Sequence, residues 1–109
     1  MRKTRVIYVE NDPALRGIMS SQLKSHPDIE FVQSFASSHE ALAYVDYKNI
    51  DVALLDLALG PESLNGTELG MLLRERNQHV GIVIYSQHVM PDYLHNLSEA
   101  VRWGWSYIE

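Results

Sequence analysis

Residues 51–60 are DVALLDLALG, an apolar run that one carboxylate interrupts and a glycine ends. Val52–Leu55 has no polar side chain on either face. Such a run is typical of a central strand in a parallel sheet that helices cover on both sides. Asp56 follows directly. The stretch therefore predicts a buried parallel strand with an acid at its carboxyl end.

Four other apolar runs of strand length lie along the chain. They are short and rich in β-branched or aromatic residues, and two of them precede the central run. The predicted strands are Arg5–Val9, Ile29–Phe35, Ile82–Tyr85 and residues 103–109 (WGWSYIE).

Helix signals fill the intervals before the central strand. Asp12 and Pro13 supply an N-cap and a proline at the first helical position. Ser37 and Glu40 have the spacing of a capping box, ahead of a helix that is predicted to extend through Val45. These signals predict one helix after each of the first two strands.

Helical spacing predicts two later helices, one marked by Leu69, Leu72 and Leu73 and one that Pro91 opens. Strands that alternate with helices in this way favour an α/β fold. The expected architecture is a flavodoxin-like, doubly wound sheet of five parallel strands.

Composition limits the kind of protein. The chain has 109 residues, 46% hydrophobic and 21% charged, which suits one compact domain. A net charge of −5 argues against direct contact with nucleic acid, and the absence of cysteine excludes disulfides and thiolate chemistry. Neither a signal peptide nor a membrane span is recognisable, so we expect a cytoplasmic domain without membrane contact.

Polar residues follow several predicted strands. Ligands bind open parallel sheets at the carboxyl ends of the strands, near the point where strand order reverses. Asp56 follows the third strand, Glu10 and Asn11 the first and Ser86 the fourth, and Tyr107 lies in the fifth. Carboxylate and amide oxygens are ligands that Mg²⁺ prefers, and beside a cation a carboxylate can attack a phosphoryl group. The pattern predicts an aspartyl-phosphate site.

Several stretches, in this order, resemble the receiver domain of two-component response regulators. They are VIYVENDPALR (6–16), DVALLDLALG with the later Asn65-Gly66 (51–66) and IVIYSQ (82–87), with SYIE (106–109) as a weaker match. Each stretch alone is a weak signal, but the ordered set is specific and samples nearly all of the chain.

The resemblance implies a role for each polar residue. Asp56 would accept a phosphoryl group from a histidine kinase, Ser86 would be the switch hydroxyl and Tyr107 the switch aromatic. The implied Mg²⁺ ligands are Glu10, Asn11, Asp56 and the backbone carbonyl of Ala58. The domain would be a regulatory switch and not an enzyme, and its surface would control dimerisation or a downstream effector domain, often a DNA-binding one that regulates transcription.

The sequence departs from the family pattern in three places. Asn11 replaces the second acid and brings no charge to the metal site. The lysine that usually follows the switch aromatic would be residue 110, and the final helix of the domain would come later still. We therefore expect residues 1–109 to be a C-terminally truncated receiver domain, with any effector domain beyond residue 109. An uncovered sheet face would then favour a homodimer.

Plainer interpretations stay open at this point. A strand-end Asp56 can simply begin a turn, Asp12 is more often a helix cap than a ligand, and Tyr107 can be ordinary packing. The whole domain can also be a pseudo-receiver, an interaction module without phosphate chemistry, which Asn11 favours. A nucleotide-binding domain is the weakest alternative, because no glycine-rich phosphate loop follows any strand.

Overall fold

A computed structural model describes residues 2–44, 46–57, 59 and 64–85, and the backbone of residues 105–108. The strands are β1 (Thr4–Val9), β2 (Ile29–Phe35), β3 (Val52–Asp56), β4 (Gly81–Tyr85) and β5 (Trp105–Ile108). The helices are α1 (Pro13–Ser25), α2 (Ser38–Ala43) and α3 (Gly66–Arg76), with a short 3-10 helix at Tyr47–Asn49.

The five strands form one parallel sheet in the order β2-β1-β3-β4-β5. The chain moves from β1 to β2 on one side, and then returns to place β3 on the other side of β1. Strand order therefore reverses between β1 and β3. This is the crevice where ligands of open α/β sheets bind.

Alternate side chains of the sheet enter two separate cores. On one face, α1 contributes Met19 and Leu23, which are clustered with residues of the sheet: Val6, Tyr8, Ile29, Val52, Leu54, Val83 and Tyr85. On the other face lie α2 and α3, whose Ala41, Leu69 and Leu73 join Ile7, Val9, Ala53, Leu55, Ile82 and Ile84. Every residue of β3 and β4 is buried. The predicted doubly wound parallel fold is confirmed.

The start of α1 has the predicted chemistry. The side chain of Asp12 accepts hydrogen bonds from the backbone N–H groups of Ala14 and Leu15, at 2.9 and 3.3 Å. Pro13 occupies the first helical position. Ile18 shares the apolar spacing of the helix but lies at the flank of its buried stripe and is 58% exposed. Asp12 is thus a helix cap, the interpretation that its sequence context favours.

Helix α2 is shorter than predicted. Ser37 caps it, accepting from the N–H of Glu40 at 3.2 Å, but the helix ends at Ala43. The prediction that it extends through Val45 is wrong, because the backbone at Tyr44 is already extended, and Val45 itself lies outside the described residues. The Tyr44 ring packs edge-on against Phe35 and Tyr47. These tertiary contacts compete with continued helix.

The later helix and the end of β3 differ in how far the structure describes them. The helix expected after Pro91 lies outside the described residues. Strand β3 is one residue longer than predicted, so Asp56 is its last residue and pairs in register with Tyr85 of β4. Among the described helices, none combines the length and apolarity needed to cross a bilayer.

Candidate functional site

Two acids lie at the point where strand order reverses. Val9 and Leu55 are register partners on β1 and β3, so the next residues, Glu10 after β1 and Asp56 at the end of β3, are neighbours at the same edge of the sheet. Both are buried, with exposures of 0% and 1%. Burial of two carboxylates is costly unless hydrogen bonds or a cation compensate for lost water. The two carboxylates at the reversal point therefore need hydrogen bonds or a cation to offset the free-energy cost of their burial.

Hydrogen bonds hold Glu10 from three sides. Tyr85 donates its hydroxyl proton to Oε1 at 2.5 Å, and the backbone N–H of Asp12 donates to Oε2 at 3.0 Å. Arg16 on α1 donates through Nη1 to the Glu10 carbonyl oxygen at 2.8 Å. Hydrogen bonds to an ionised carboxylate are stronger than bonds between neutral groups. Both the backbone and the side chain of Glu10 are thus fixed.

A second tyrosine lies behind the first. The hydroxyl oxygens of Tyr8 and Tyr85 are 2.9 Å apart, and their rings are stacked with centroids 6.0 Å apart. Burial, followed by the proximity of Tyr8 and the bond to Glu10, raises the pKa of the Tyr85 hydroxyl far above its ordinary value. Tyr85 therefore remains a donor throughout the physiological pH range.

The backbone around Asp56 is packed closely against the start of α3. The N–H of Leu57 donates to the carbonyl of Tyr85 and the N–H of Gly66 donates to the carbonyl of Leu57, each at 3.0 Å. A Cβ atom at Gly66 would lie 2.6 Å from the carbonyl oxygen of Asp56. Only glycine allows this approach. Asn65, the residue before Gly66, caps the start of α3 by forming a capping box with Glu68.

The other predicted site residues are either exposed or lie wholly or partly outside the described part of the chain. Asn11 follows Glu10 but is exposed. Ala58 and Ser86 lie outside the described residues, so the structure does not test their roles. Tyr107 lies in β5 as the register partner of Ile84, and its side chain is likewise outside the described part. The structure therefore brings together Glu10 and Asp56, and leaves the switch pair as a prediction.

The donor set fits Mg²⁺ better than a transition metal. Within the described ranges, no group of three or more His, Cys, Asp or Glu residues is arranged around one point. The buried carboxylates of Glu10 and Asp56, and the exposed amide of Asn11 that follows Glu10 in sequence, all offer hard oxygen donors. Mg²⁺ is bound by such sets through one or two carboxylates while it keeps several waters. Glu10, Asp56 and Asn11 are chemically suited to that role.

The family model for the response regulator receiver domain matches residues 6–104, and the chain belongs to this family. It is 36% identical over 85 residues to a protein-glutamate methylesterase/protein-glutamine glutaminase of Agrobacterium fabrum, covering 77% of this chain and 24% of the relative. It is 27% identical over 101 residues to the transcriptional regulatory protein ComA of Bacillus subtilis, covering 92% of this chain and 45% of ComA.

The fold is also that of a solved response regulator. Thermotoga maritima TrrA, crystallised in complex with Mg²⁺-BeF, is 21% identical with a TM-score of 0.68, and the match covers 96% of this chain and 84% of TrrA. The chain spans about a quarter to a half of the length of the curated relatives above. Receiver domains are regulatory in general, although the methylesterase relatives are enzymes as whole proteins.

Sequence reasoning missed three residues of the site. Tyr8 and Tyr85 are tyrosines inside apolar strands, where packing is the ordinary interpretation. Their shared signal is that each lies within two residues of a predicted strand-end polar group, Glu10 or Ser86. Gly66 entered only as part of the family match, because a close approach of backbone to backbone has no local signature.

Proposed function

We propose that this domain accepts a phosphoryl group on Asp56 from a histidine kinase, with Mg²⁺, and thereby switches a protein-interaction surface. The observation that carries the proposal is the burial of Asp56 beside Glu10 at the reversal point of a receiver fold. Receiver domains in general bind Mg²⁺ and interact with histidine kinases.

The proposed reaction is an in-line phosphoryl transfer. A carboxylate oxygen of Asp56 attacks the phosphorus of a kinase phosphohistidine, and the new O–P bond forms as the N–P bond breaks. The imidazole leaves with the bonding electron pair and takes up a proton. Bound Mg²⁺ would neutralise charge on the phosphoryl oxygens. Glu10, Asn11, Asp56 and the carbonyl of Ala58 would hold it.

The output side of the proposal rests on the family match. Ser86 would hydrogen-bond the phosphoryl oxygens and Tyr107 would move with it, so that the surface near β5 changes. This surface would control a homodimer or a downstream effector domain. A transcription-regulating DNA-binding domain is one proposed form of effector, and the similar protein ComA is a transcriptional regulatory protein. We propose that this switching takes place in the cytoplasm.

The test is intact-mass spectrometry after incubation with acetyl phosphate, with and without Mg²⁺. The proposal predicts a single phosphoryl adduct that requires Mg²⁺ and is lost in Asp56→Asn. The matched control is Asp28→Asn, since Asp28 is an exposed aspartate far from the reversal point. An adduct that survives in Asp56→Asn would rule out the assignment.

The alternative function is a pseudo-receiver that binds partners without phosphate chemistry. One observation favours it: Asn11 stands at the second acidic position and brings no charge to the site. A Mg²⁺ titration that follows the fluorescence of Trp103 and Trp105 separates the two functions. A fluorescence change at millimolar Mg²⁺ supports the phosphoacceptor, whereas no change supports the pseudo-receiver.

A further inference from the structure

The hydroxyl of Tyr85 reaches across an intervening strand. Tyr85 ends β4 and Glu10 follows β1, while β3 lies between these two strands. The Tyr85 side chain is on the α1 face, and its hydroxyl lies 2.5 Å from Oε1 of Glu10. A side chain from one strand thus fixes the carboxylate of another, directly over the strand that carries Asp56.

Proton counting sets the direction of these hydrogen bonds. A tyrosine hydroxyl has one proton, and an ionised carboxylate only accepts. Tyr85 therefore donates to Glu10, and its oxygen accepts from the hydroxyl of Tyr8 at 2.9 Å. Successive hydrogen bonds polarise one another in a low-dielectric interior. The hydrogen bond that Tyr85 accepts from Tyr8 therefore strengthens the one that Tyr85 donates to Oε1 of Glu10.

The effect of the bond from Tyr85 depends on which acceptor positions of the Glu10 carboxylate remain open to a cation. Oε1 is held by Tyr85 and Oε2 by the N–H of Asp12, so the carboxylate plane is fixed by two donors. Each carboxylate oxygen has two lone pairs, so after these bonds from the described residues each oxygen keeps one lone pair for a further partner. Hydrogen-bond donors that orient a metal ligand in this way typically raise metal affinity by about 10–100-fold.

We propose that Tyr85, supported by Tyr8, is a positioning residue that orients the Glu10 carboxylate for Mg²⁺. This deepens the proposed function and rests on it. Because Tyr85 also immediately precedes the predicted switch hydroxyl, Ser86, the same side chain links the metal ligand to the end of β4.

The test compares Mg²⁺ dissociation constants, measured by isothermal titration calorimetry with MgCl₂ on the 109-residue chain and its variants. Tyr85→Phe removes the hydroxyl and keeps the ring. We expect its dissociation constant to rise about tenfold or more. Tyr8→Phe leaves the bond to Glu10 and should give a smaller rise.

Tyr47→Phe is the matched control. Tyr47 is also buried and its hydroxyl donates to the carbonyl of Ala41, but it lies in the opposite core. It loses a buried hydrogen bond without touching Glu10, so its Mg²⁺ affinity should equal that of the wild type. Unfolding by urea, measured without metal, gives the stability of each variant for comparison.

Each outcome decides the proposal. A loss confined to Tyr85→Phe and, to a lesser degree, Tyr8→Phe supports positioning. Equal affinity in Tyr85→Phe and the wild type overturns positioning and leaves the proposed function intact, as does an equal loss in Tyr47→Phe. If Tyr85→Phe does not fold, Tyr8→Phe becomes the test. An unchanged Mg²⁺ dissociation constant in Tyr8→Phe then overturns the proposed positioning through the two tyrosines. A wild type that binds no Mg²⁺ refutes the metal part of the proposed function, and this inference with it.

Discussion

Replacing Gly66 with alanine should destabilise the domain at the site itself. The added Cβ would lie 2.6 Å from the carbonyl oxygen of Asp56 and 3.2 Å from the Cα of Leu57. Both contacts are to backbone, so neither neighbour can rotate away. Overpacking of this kind costs about 1–3 kcal/mol, and the better helix propensity of alanine returns at most about 1 kcal/mol.

The expected net effect is a loss of about 1–2 kcal/mol in the free energy of unfolding, or a decrease in Tm of about 5–10 °C. Urea denaturation followed by circular dichroism measures it. Because the closest displaced atom is the carbonyl oxygen of Asp56, phosphoryl uptake from acetyl phosphate should also slow in Gly66→Ala.

Gly17→Ala is the control for this experiment. Gly17 lies within α1, and a Cβ atom there would meet nothing within 4 Å. Alanine should therefore stabilise the domain by about 0.5–1 kcal/mol through helix propensity. If Gly66→Ala is as stable as the wild type, the close approach of α3 to Asp56 is not a real constraint and the reasoning fails.

Three further predictions concern stability. Ser38→Ala should cost about 1–2 kcal/mol in urea denaturation, because the buried Oγ accepts from the N–H of Leu64 at 3.1 Å; an unchanged midpoint would contradict this. Asp12→Ala should cost about 1 kcal/mol through loss of the α1 cap, whereas Asp12→Ser should retain most of the stability. Between pH 10 and 11, the free energy of unfolding should fall by about 2 kcal/mol, because burial raises the pKa of both Tyr47 and Tyr85. Both tyrosines then stay protonated when folded but ionise when unfolded, so this stability is intact below about pH 10; a flat profile from pH 10 to 11 would refute the burial argument.

The sequence predicted the sheet well because its signals are local. Apolar runs mark β1, β3 and β4 to within one residue, and β2 exactly as Ile29–Phe35. The neighbouring placement of Glu10 and Asp56 also followed from the sequence, since carboxyl ends of parallel strands meet at one end of the sheet.

The missed features depend on tertiary contacts. Helix α2 ends at Ala43, where the Tyr44 ring packs between Phe35 of β2 and Tyr47 of the 3-10 helix. The bond between Tyr85 and Glu10 needs the strand order to be known, because it spans β3. Neither follows from propensity or periodicity, which describe one segment at a time.

The most direct test of the central claim is to locate the phosphoryl group. After incubation with acetyl phosphate and Mg²⁺, borohydride reduces an aspartyl phosphate to homoserine, which peptide mass spectrometry assigns to one position. We predict homoserine at position 56 alone. Homoserine at another aspartate, or at none, would contradict the phosphoacceptor role of Asp56.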